Sequence, residues 1–369
     1  MSDGKTVAIV GTGLIGGSLG MALRKSGVAH VLGVEPNAEA AADALRLGAV
    51  DAVLSLPAAV SRAHVVVLST PVGAIMRQAL REVAAIAAPG TIVTDTGSTK
   101  VDVHQAAREA GFAPGVSFIG GHPLAGSEAS GIRAADPYLF ENAFYLLTTD
   151  AEADEQAFAH LSALVCVTGA ITHRLTPAQH DRLVAAISHL PHAAAAALVN
   201  AAVKVAGEGE EFLQFAAGGF RDTTRVAAGD PALWREILLS NRDQLLAALA
   251  ALESEFAALR SALATADGPA LTAWLSSARD HRRALPRRRT GMLVPVHELV
   301  VQVEDRPGVI ARIAALLADA AINLREIEIL RLREGEGGVL LLGVDTEEAL
   351  RTALALLAAG GFSARPRSE

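Results

Sequence analysis

The apolar positions of this chain keep one rhythm for the first 150 residues and then change it. Residues 6–10 (TVAIV) form a short unbroken apolar run rich in β-branched side chains, which predicts a buried parallel strand. Helical spacing follows to Lys25, with Gly27 as the stop signal. The alternation then repeats: a strand over 30–34, a helix over 37–47 closed by Gly48, and a strand within 64–69. A helix over 72–87 runs to the Pro89-Gly90 turn, before a strand over 91–95. Residues 116–119 and 144–148 read as two further strands. Strands alternating with helices predict a doubly wound parallel sheet, an α/β Rossmann-like domain over residues 1–150.

From residue 151 the composition shifts to alanine, leucine and other helix formers. A short strand over 170–174 is expected before Thr176-Pro177-Ala178-Gln179, which has a threonine cap, a proline at the first helical position and a glutamine three after the cap. That helix should run toward residue 205, with a kink where Pro191 removes a backbone hydrogen bond. A glycine turn at 218–219 opens another helix, and a long Ala/Leu helix runs toward 264. Its heavy apolar spacing suits either a domain core or a partner subunit. An all-α domain is therefore expected over 151–285, then a Pro- and Arg-rich linker over 286–295. From 296 to 369 the order becomes βαββαβ, an α+β ferredoxin-like pattern.

A chain of 369 residues suits two or three domains, and 51% apolar content is enough for full cores. The net charge of -8 argues against a general nucleic-acid binder, so the short Arg run near 282–289 reads as a solvated connector. A single cysteine, Cys166, excludes an internal disulfide and a cysteine metal cluster. The first residues show no apolar signal core, and the longest apolar stretch, 193–203, is too short to span a bilayer. No membrane partner and a cytoplasmic setting are the expectations.

The first strand ends in Gly11-Thr12-Gly13-Leu14-Ile15-Gly16, a GxGxxG. Gly11 permits a tight turn, Gly13 leaves room for a pyrophosphate, and Gly16 allows close packing of helix on strand. The phosphates would sit on the free N–H groups at the helix start, around Leu14 and Ile15. Glu35 closes the second strand, where an acid can accept bonds from ribose hydroxyls and repel a 2′-phosphate, which favours NAD over NADP. Ser69-Thr70-Pro71 and Ser98 fall at the same carboxyl edge of the sheet, although Ser98 could equally cap the next helix. The strand over 116–119 delivers Gly120-Gly121-His122-Pro123-Leu124-Ala125-Gly126-Ser127-Glu128. His122 reads as the proton acceptor of a hydride-transfer reaction. In the helical region, Ser188-His189-Leu190-Pro191-His192 puts two histidines on one face, as a pocket or as a buried structural pair; no third ligand at suitable spacing argues for a metal. Arg221 and Arg225 share a face and offer planar forks to a carboxylate, unless Asp222 pairs with them at the surface.

Taken together, these stretches resemble the prephenate dehydrogenase (TyrA) family, in the form with a C-terminal ACT domain. The resemblance rests on Gly121-His122-Pro123 with Gly126 and Glu128, on Ser188 to His192, and on Gly219-Phe220-Arg221-Asp222 with Arg225, in order after a dinucleotide fingerprint. In the tail it rests on Asp305-Arg306-Pro307-Gly308 and Ile322-Asn323-Leu324. It implies NAD-dependent oxidative decarboxylation of prephenate to 4-hydroxyphenylpyruvate, or of arogenate to tyrosine in close relatives. It implies that Ser98 lies beside the substrate alcohol and the nicotinamide, and that Arg225 binds a carboxylate. Ser188, His189 and His192 would complete the substrate pocket, with Glu128 gating it or tuning its charge. A homodimer through the helical domain is implied, as is an amino-acid effector, tyrosine by expectation, near Asp305, Pro307, Gly308 and Asn323. A sensor that kept the fold and lost catalysis is the rival class, and the joint presence of His122, Ser98, Arg225, His189 and His192 argues against it.

Overall fold

The computed structural model describes residues 5–126, 129–150, 154–206, 214–285, 297–304, 306–333 and 337–367. The chain divides into two compact units, at residues 1–291 and 292–369.

The first unit is built on one eight-stranded sheet in the order β3-β2-β1-β4-β5-β6-β7-β8. Its strands are β1 (Lys5–Val10), β2 (Ala29–Val34), β3 (Ala52–Val53), β4 (Val65–Leu68), β5 (Ile92–Asp95), β6 (Ser117–Pro123), β7 (Phe144–Thr148) and β8 (Ile171–Leu175). The first six run parallel, as the unbroken apolar runs predict. Then β7 turns back antiparallel to β6, and β8 runs parallel to β7. The order reverses between β1 and β4, which opens a crevice at their carboxyl ends.

Helices cover both faces: α1 (Leu14–Lys25), α2 (Ala38–Arg46), α3 (Leu56–Val60), α4 (Ala74–Ala84), α5 (Val101–Ala110) and α6 (Glu155–Cys166). One buried cluster joins Val7, Ile9, Leu19, Leu23, Tyr145 and Leu161; a second joins Ala8, Leu68, Met76, Leu80, Val93 and Val103. Neighbouring residues of β1 thus point into opposite cores, as a strand buried on both faces requires. The sheet does not end at residue 150, because β8 adds to its edge through five paired residues from Ile171 to Leu175. Its inward apolar content is low, so the sequence reads as a start to the helical region.

The capping box at Thr176 is present: its side chain accepts from Gln179 N, and Gln179 caps in return. The helix then runs as α7 (Pro177–Val184), a π-helical turn over Ala185–His189, and α8 (Leu190–Ala206). The wide turn lies just before Pro191, which has no N–H and whose ring crowds the preceding turn. The whole segment Pro177–Ala206 is long and apolar enough to cross a bilayer by length and composition, longer than the run at 193–203 suggests. Two of its residues nevertheless hold the sheet domain: Asp181 caps α5, and His180 bonds to β6. Further helices follow at Gly218–Thr224, Pro231–Ser240, Arg242–Ala264 and Gly268–Arg283.

The second unit has a four-stranded antiparallel sheet in the order β10-β11-β9-β12, formed by β9 (His297–Val303), β10 (Leu324–Arg333), β11 (Gly337–Val344) and β12 (Ser363–Pro366). Helices Val309–Asp319 and Glu347–Ala359 pack on it through Ile313, Leu317, Ala353 and Leu357. This is the predicted βαββαβ order. Gly308 takes a left-handed φ of 88° at the start of the first of these helices, a conformation that suits glycine. Pro307 and Asn323 are exposed beside that turn and at the foot of β10; Asp305 lies outside the described residues.

Candidate active site

The glycine loop is shaped by backbone contact. A methyl on Gly11 would stand 2.5 Å from Ser69 O, and one on Gly16 would stand 2.0 Å from Gly11 O. Neither position tolerates a side chain without moving the strand ends. Gly13, by contrast, faces open space. It caps α1 without a side chain, so the first N–H groups of the helix, at Leu14 and Ile15, remain for an anion. An open cleft of about 390 Å³ adjoins the loop, lined by Thr12, Gly13, Glu35, Asn37, Ile132 and Arg133 among others. The Glu35 carboxylate accepts from Thr12 N at 3.1 Å, Thr12 Oγ1 at 3.2 Å and Asn37 N at 3.1 Å. Arg133 is engaged by Asp43 and Glu39, both at 2.6 Å. A dinucleotide fits this cleft, which offers open space at Gly13, free amides at the start of α1 and an acid just past the end of β2. Ser69 Oγ accepts from Thr96 Oγ1 at 3.1 Å, which ties the ends of β4 and β5 together. Thr70 and Pro71 lead from there toward α4.

Ser98 does not cap α5. The cap position belongs to Lys100, and the free amides of Lys100 and Val101 donate to Asp181 at 2.7 and 2.8 Å. The capping acid thus comes from another helix some eighty positions on. The Ser98 hydroxyl is half-buried and makes no hydrogen bond among the described residues.

His122 sits near the end of β6, with Gly121 N anchored on Asp95 Oδ1 at 3.1 Å. Asp95 ends β5 and is fully buried. It also accepts from Gly97 N at 2.8 Å and pairs with the buried ammonium of Lys100. One carboxylate therefore joins the Ser98 loop to the His122 strand. Removing one member of such a buried pair costs about 3–5 kcal/mol. His122 Nδ1 lies 2.9 Å from His180 Nε2, and His180 Nδ1 lies 2.7 Å from Asp181 Oδ1. Desolvation pushes the pKa of His122 well below the ordinary histidine value, with His180, Lys100 and His189 acting in the same direction. His122 is thus neutral at working pH, with a ring able to accept a proton.

The second cluster meets the first through Asn241, whose amide bonds to Asp181 O at 2.8 Å and His189 Nδ1 at 3.1 Å. His189 is buried, and desolvation lowers its pKa to about 4. His192 stacks on Trp234, with centroids 3.5 Å apart and planes 12° apart. Its Nδ1 is buried and has no hydrogen-bond partner among the described residues. Ser188 is half-buried in the π-turn. Arg225 is exposed on the 3-10 turn Arg225–Ala228, which packs against α8. Arg221 is also exposed and donates to Ala216 O at 2.9 Å. Glu128 lies outside the described residues.

Sequence reasoning missed Asp95, Lys100, His180 and Asp181 and passed over Asn241 and Trp234. Asp95 did carry a signal, since an acid ending an apolar strand repeats what Glu35 does for β2.

The chain matches the nucleotide-binding domain of prephenate dehydrogenase over residues 19–173, the dimerization domain of prephenate dehydrogenase over 176–277, and the ACT domain over 297–356. It is 37% identical to a prephenate dehydrogenase of Bacillus subtilis over 349 residues, 93% of each chain. It is 34% identical to a cyclohexadienyl dehydrogenase of Zymomonas mobilis, over 76% of this chain and 96% of that one. Among solved structures, prephenate dehydrogenase of Aquifex aeolicus in complex with hydroxyphenyl propionate and NAD+ superposes with a TM-score of 0.68 at 30% identity, over 76% of this chain and 97% of that one. Arogenate dehydrogenase of Synechocystis gives 0.66 at 32% identity, over 75% of this chain and 99% of that one. With its two dehydrogenase domains and the C-terminal ACT domain, the chain belongs to the prephenate dehydrogenase family.

Proposed function

We propose that this protein is an NAD-dependent prephenate dehydrogenase in which His122 accepts the proton of the substrate's ring alcohol. The observation that carries the reading is the placement of a neutral histidine at the carboxyl end of β6, in the sheet that holds the dinucleotide loop.

Prephenate has a ring alcohol opposite a quaternary carbon bearing a carboxylate. NAD+, held at Gly11, Gly13, Leu14, Ile15, Gly16 and Glu35, would supply the acceptor for the hydride of the alcohol carbon. The carboxylate leaves as CO2 and the ring becomes aromatic, which supplies the driving force. The protein has to hold two carboxylates, align the alcohol and take one proton. His122 takes the proton, and the Ser98 hydroxyl aligns the alcohol. Arg225 binds a substrate carboxylate, and Ser188, His189 and His192 shape the pocket, with Glu128 gating it or tuning its charge. The unpartnered Nδ1 of His192 is a buried polar atom that a substrate oxygen would satisfy.

The helical domain carries exposed Leu239, Leu246, Phe256, Leu263 and Leu275, an apolar surface that suits a homodimer. The ACT domain takes an amino-acid effector, tyrosine as end product, bound through Pro307, Gly308 and Asn323 together with Asp305. A cytoplasmic setting suits a biosynthetic dehydrogenase.

The test is NADH formation with prephenate and with arogenate side by side, each with and without tyrosine. The reading expects turnover with prephenate and inhibition by tyrosine. Turnover with arogenate alone would assign the amino substrate instead, and silence with both would leave a sensor. NADP run in parallel should be the poorer coenzyme, because the Glu35 carboxylate would repel a 2′-phosphate.

A further inference from the structure

The ring nitrogens of His122 and His180 are told apart by what they face. Asp181 uses both carboxylate oxygens to accept backbone N–H groups, from Lys100 and Val101. At 2.7 Å from Asp181 Oδ1, His180 Nδ1 must supply the proton of that contact. A neutral His180 then has an unprotonated Nε2, and the group 2.9 Å from it is His122 Nδ1. His122 Nδ1 must therefore be the donor. That leaves His122 Nε2 as its basic nitrogen, and Nε2 makes no hydrogen bond among the described residues. A free neutral histidine exchanges between two tautomers; here the Asp181–His180 pair selects the one that accepts at Nε2.

Charge points the same way. The groups around the two rings are Asp95, Lys100, Asp181 and His189, with Asp95 and Lys100 paired to each other. With the histidines neutral this cluster sums to one negative charge, on Asp181. A proton taken up at His122 is best accommodated next to Asp181, which is where His180 stands. Asp181 is itself held by three donors and, through its backbone oxygen, by Asn241.

We propose that His180 is a positioning residue that relays the proton: it fixes His122 as the Nδ1–H tautomer and takes that proton as His122 Nε2 receives the one from the substrate hydroxyl. The balance is simple. The substrate O–H bond breaks and a His122 Nε2–H bond forms; the His122 Nδ1–H bond breaks and a His180 Nε2–H bond forms. His180 is then an imidazolium facing Asp181, until the phenolate oxygen left by loss of CO2 takes the proton back along the same path. The electrons leave as the hydride of the dehydrogenation, so no further oxidant is needed. The relay step rests on the reaction proposed above; the tautomer does not.

Two variants separate holding from relaying. In His180→Gln a side-chain carbonyl can still accept from His122 Nδ1 but cannot take its proton. In His180→Phe neither is possible. Nitrogen-15 NMR of histidine-labelled protein reads which ring nitrogen of His122 carries the proton, without turnover. It should show Nδ1–H in the parent and in His180→Gln, and a mixture in His180→Phe. Single-turnover hydride transfer should fall about 10-fold in His180→Gln and about 10²–10³-fold in His180→Phe, within the range for general acid–base groups. Its dependence on deuterium fraction should be curved in the parent, where two protons move, and linear in His180→Gln. A parent His122 protonated at Nε2, a His180→Gln variant at the parental rate, or a linear parental dependence would overturn the proposal. If His180→Phe does not fold, His180→Gln and the parent still decide it. A parent silent with both prephenate and arogenate overturns the reaction instead, and the ring tautomer then decides the positioning role alone.

Discussion

The dinucleotide cleft and the His122 cluster lie in one compact unit but are made in opposite ways. The cleft is backbone: Gly11, Gly13 and Gly16 within six positions, with Glu35 bonding back to Thr12. The cluster is side chains drawn from five separate segments: Asp95 at the end of β5 with Lys100 in the loop that follows, His122 on β6, His180 and Asp181 on α7, His189 in the π-turn, and Asn241 between two late helices. A site made by local backbone geometry can be read from a short string of residues. One made by long-range side-chain bonds needs the fold first.

That contrast can be tested most sharply at the glycines. Gly16→Ala drives a methyl into Gly11 O, and overpacking of this kind costs about 1–3 kcal/mol or more. It should lower the melting temperature and abolish measurable NAD binding. Gly13→Ala meets no atom of the fold, so the melting temperature should hold while the Kd for NAD rises. Equal behaviour of the two variants, by thermal melt and titration with NAD, would contradict the division between packing and ligand glycines. In the substrate region, Arg225→Ala should raise the KM for prephenate by about 10–100-fold, as loss of a charge-assisted bond predicts, with little change in kcat. An unchanged KM would return Arg225 to a structural role.

The smallest effect is expected from pH. His104, His122, His180, His189 and His192 all have pKa values lowered by burial, to about 4 for His189. Between those values and 6.5 the unfolded chain binds more protons than the folded one. Stability is therefore full above about pH 6.5 and declines as pH falls below it, with the His189 part lost progressively toward about 4. Denaturant melts from pH 8 to 4.5 would show it. A flat profile would mean that these rings are solvated.

Much of the fold was legible. The apolar runs marked the parallel strands, the capping box at Thr176 marked α7, and the tail's order marked the second unit. The sheet's last strand, β8, was not assigned to the sheet, because its exposed, mixed pattern (ITHRL) carries no core face. Of the candidate site, the glycines, Glu35, His122, His189 and His192 were read from local motifs. His180 and Asp181 were not, since an adjacent His-Asp pair early in a polar helix looks like solvated surface until α5 and β6 are brought against it. A capping role for Ser98 stayed open for the same reason: nothing in its neighbourhood reveals that Asp181 already fills that role.

The most direct measurement is prephenate-dependent NADH formation by the parent and by His122→Asn, with NAD affinity measured on the same samples. The expected kcat is lower by about 10²–10⁴-fold in the variant, with the Kd for NAD unchanged. A variant that turns over at nearly the parental rate would remove His122 from the chemistry.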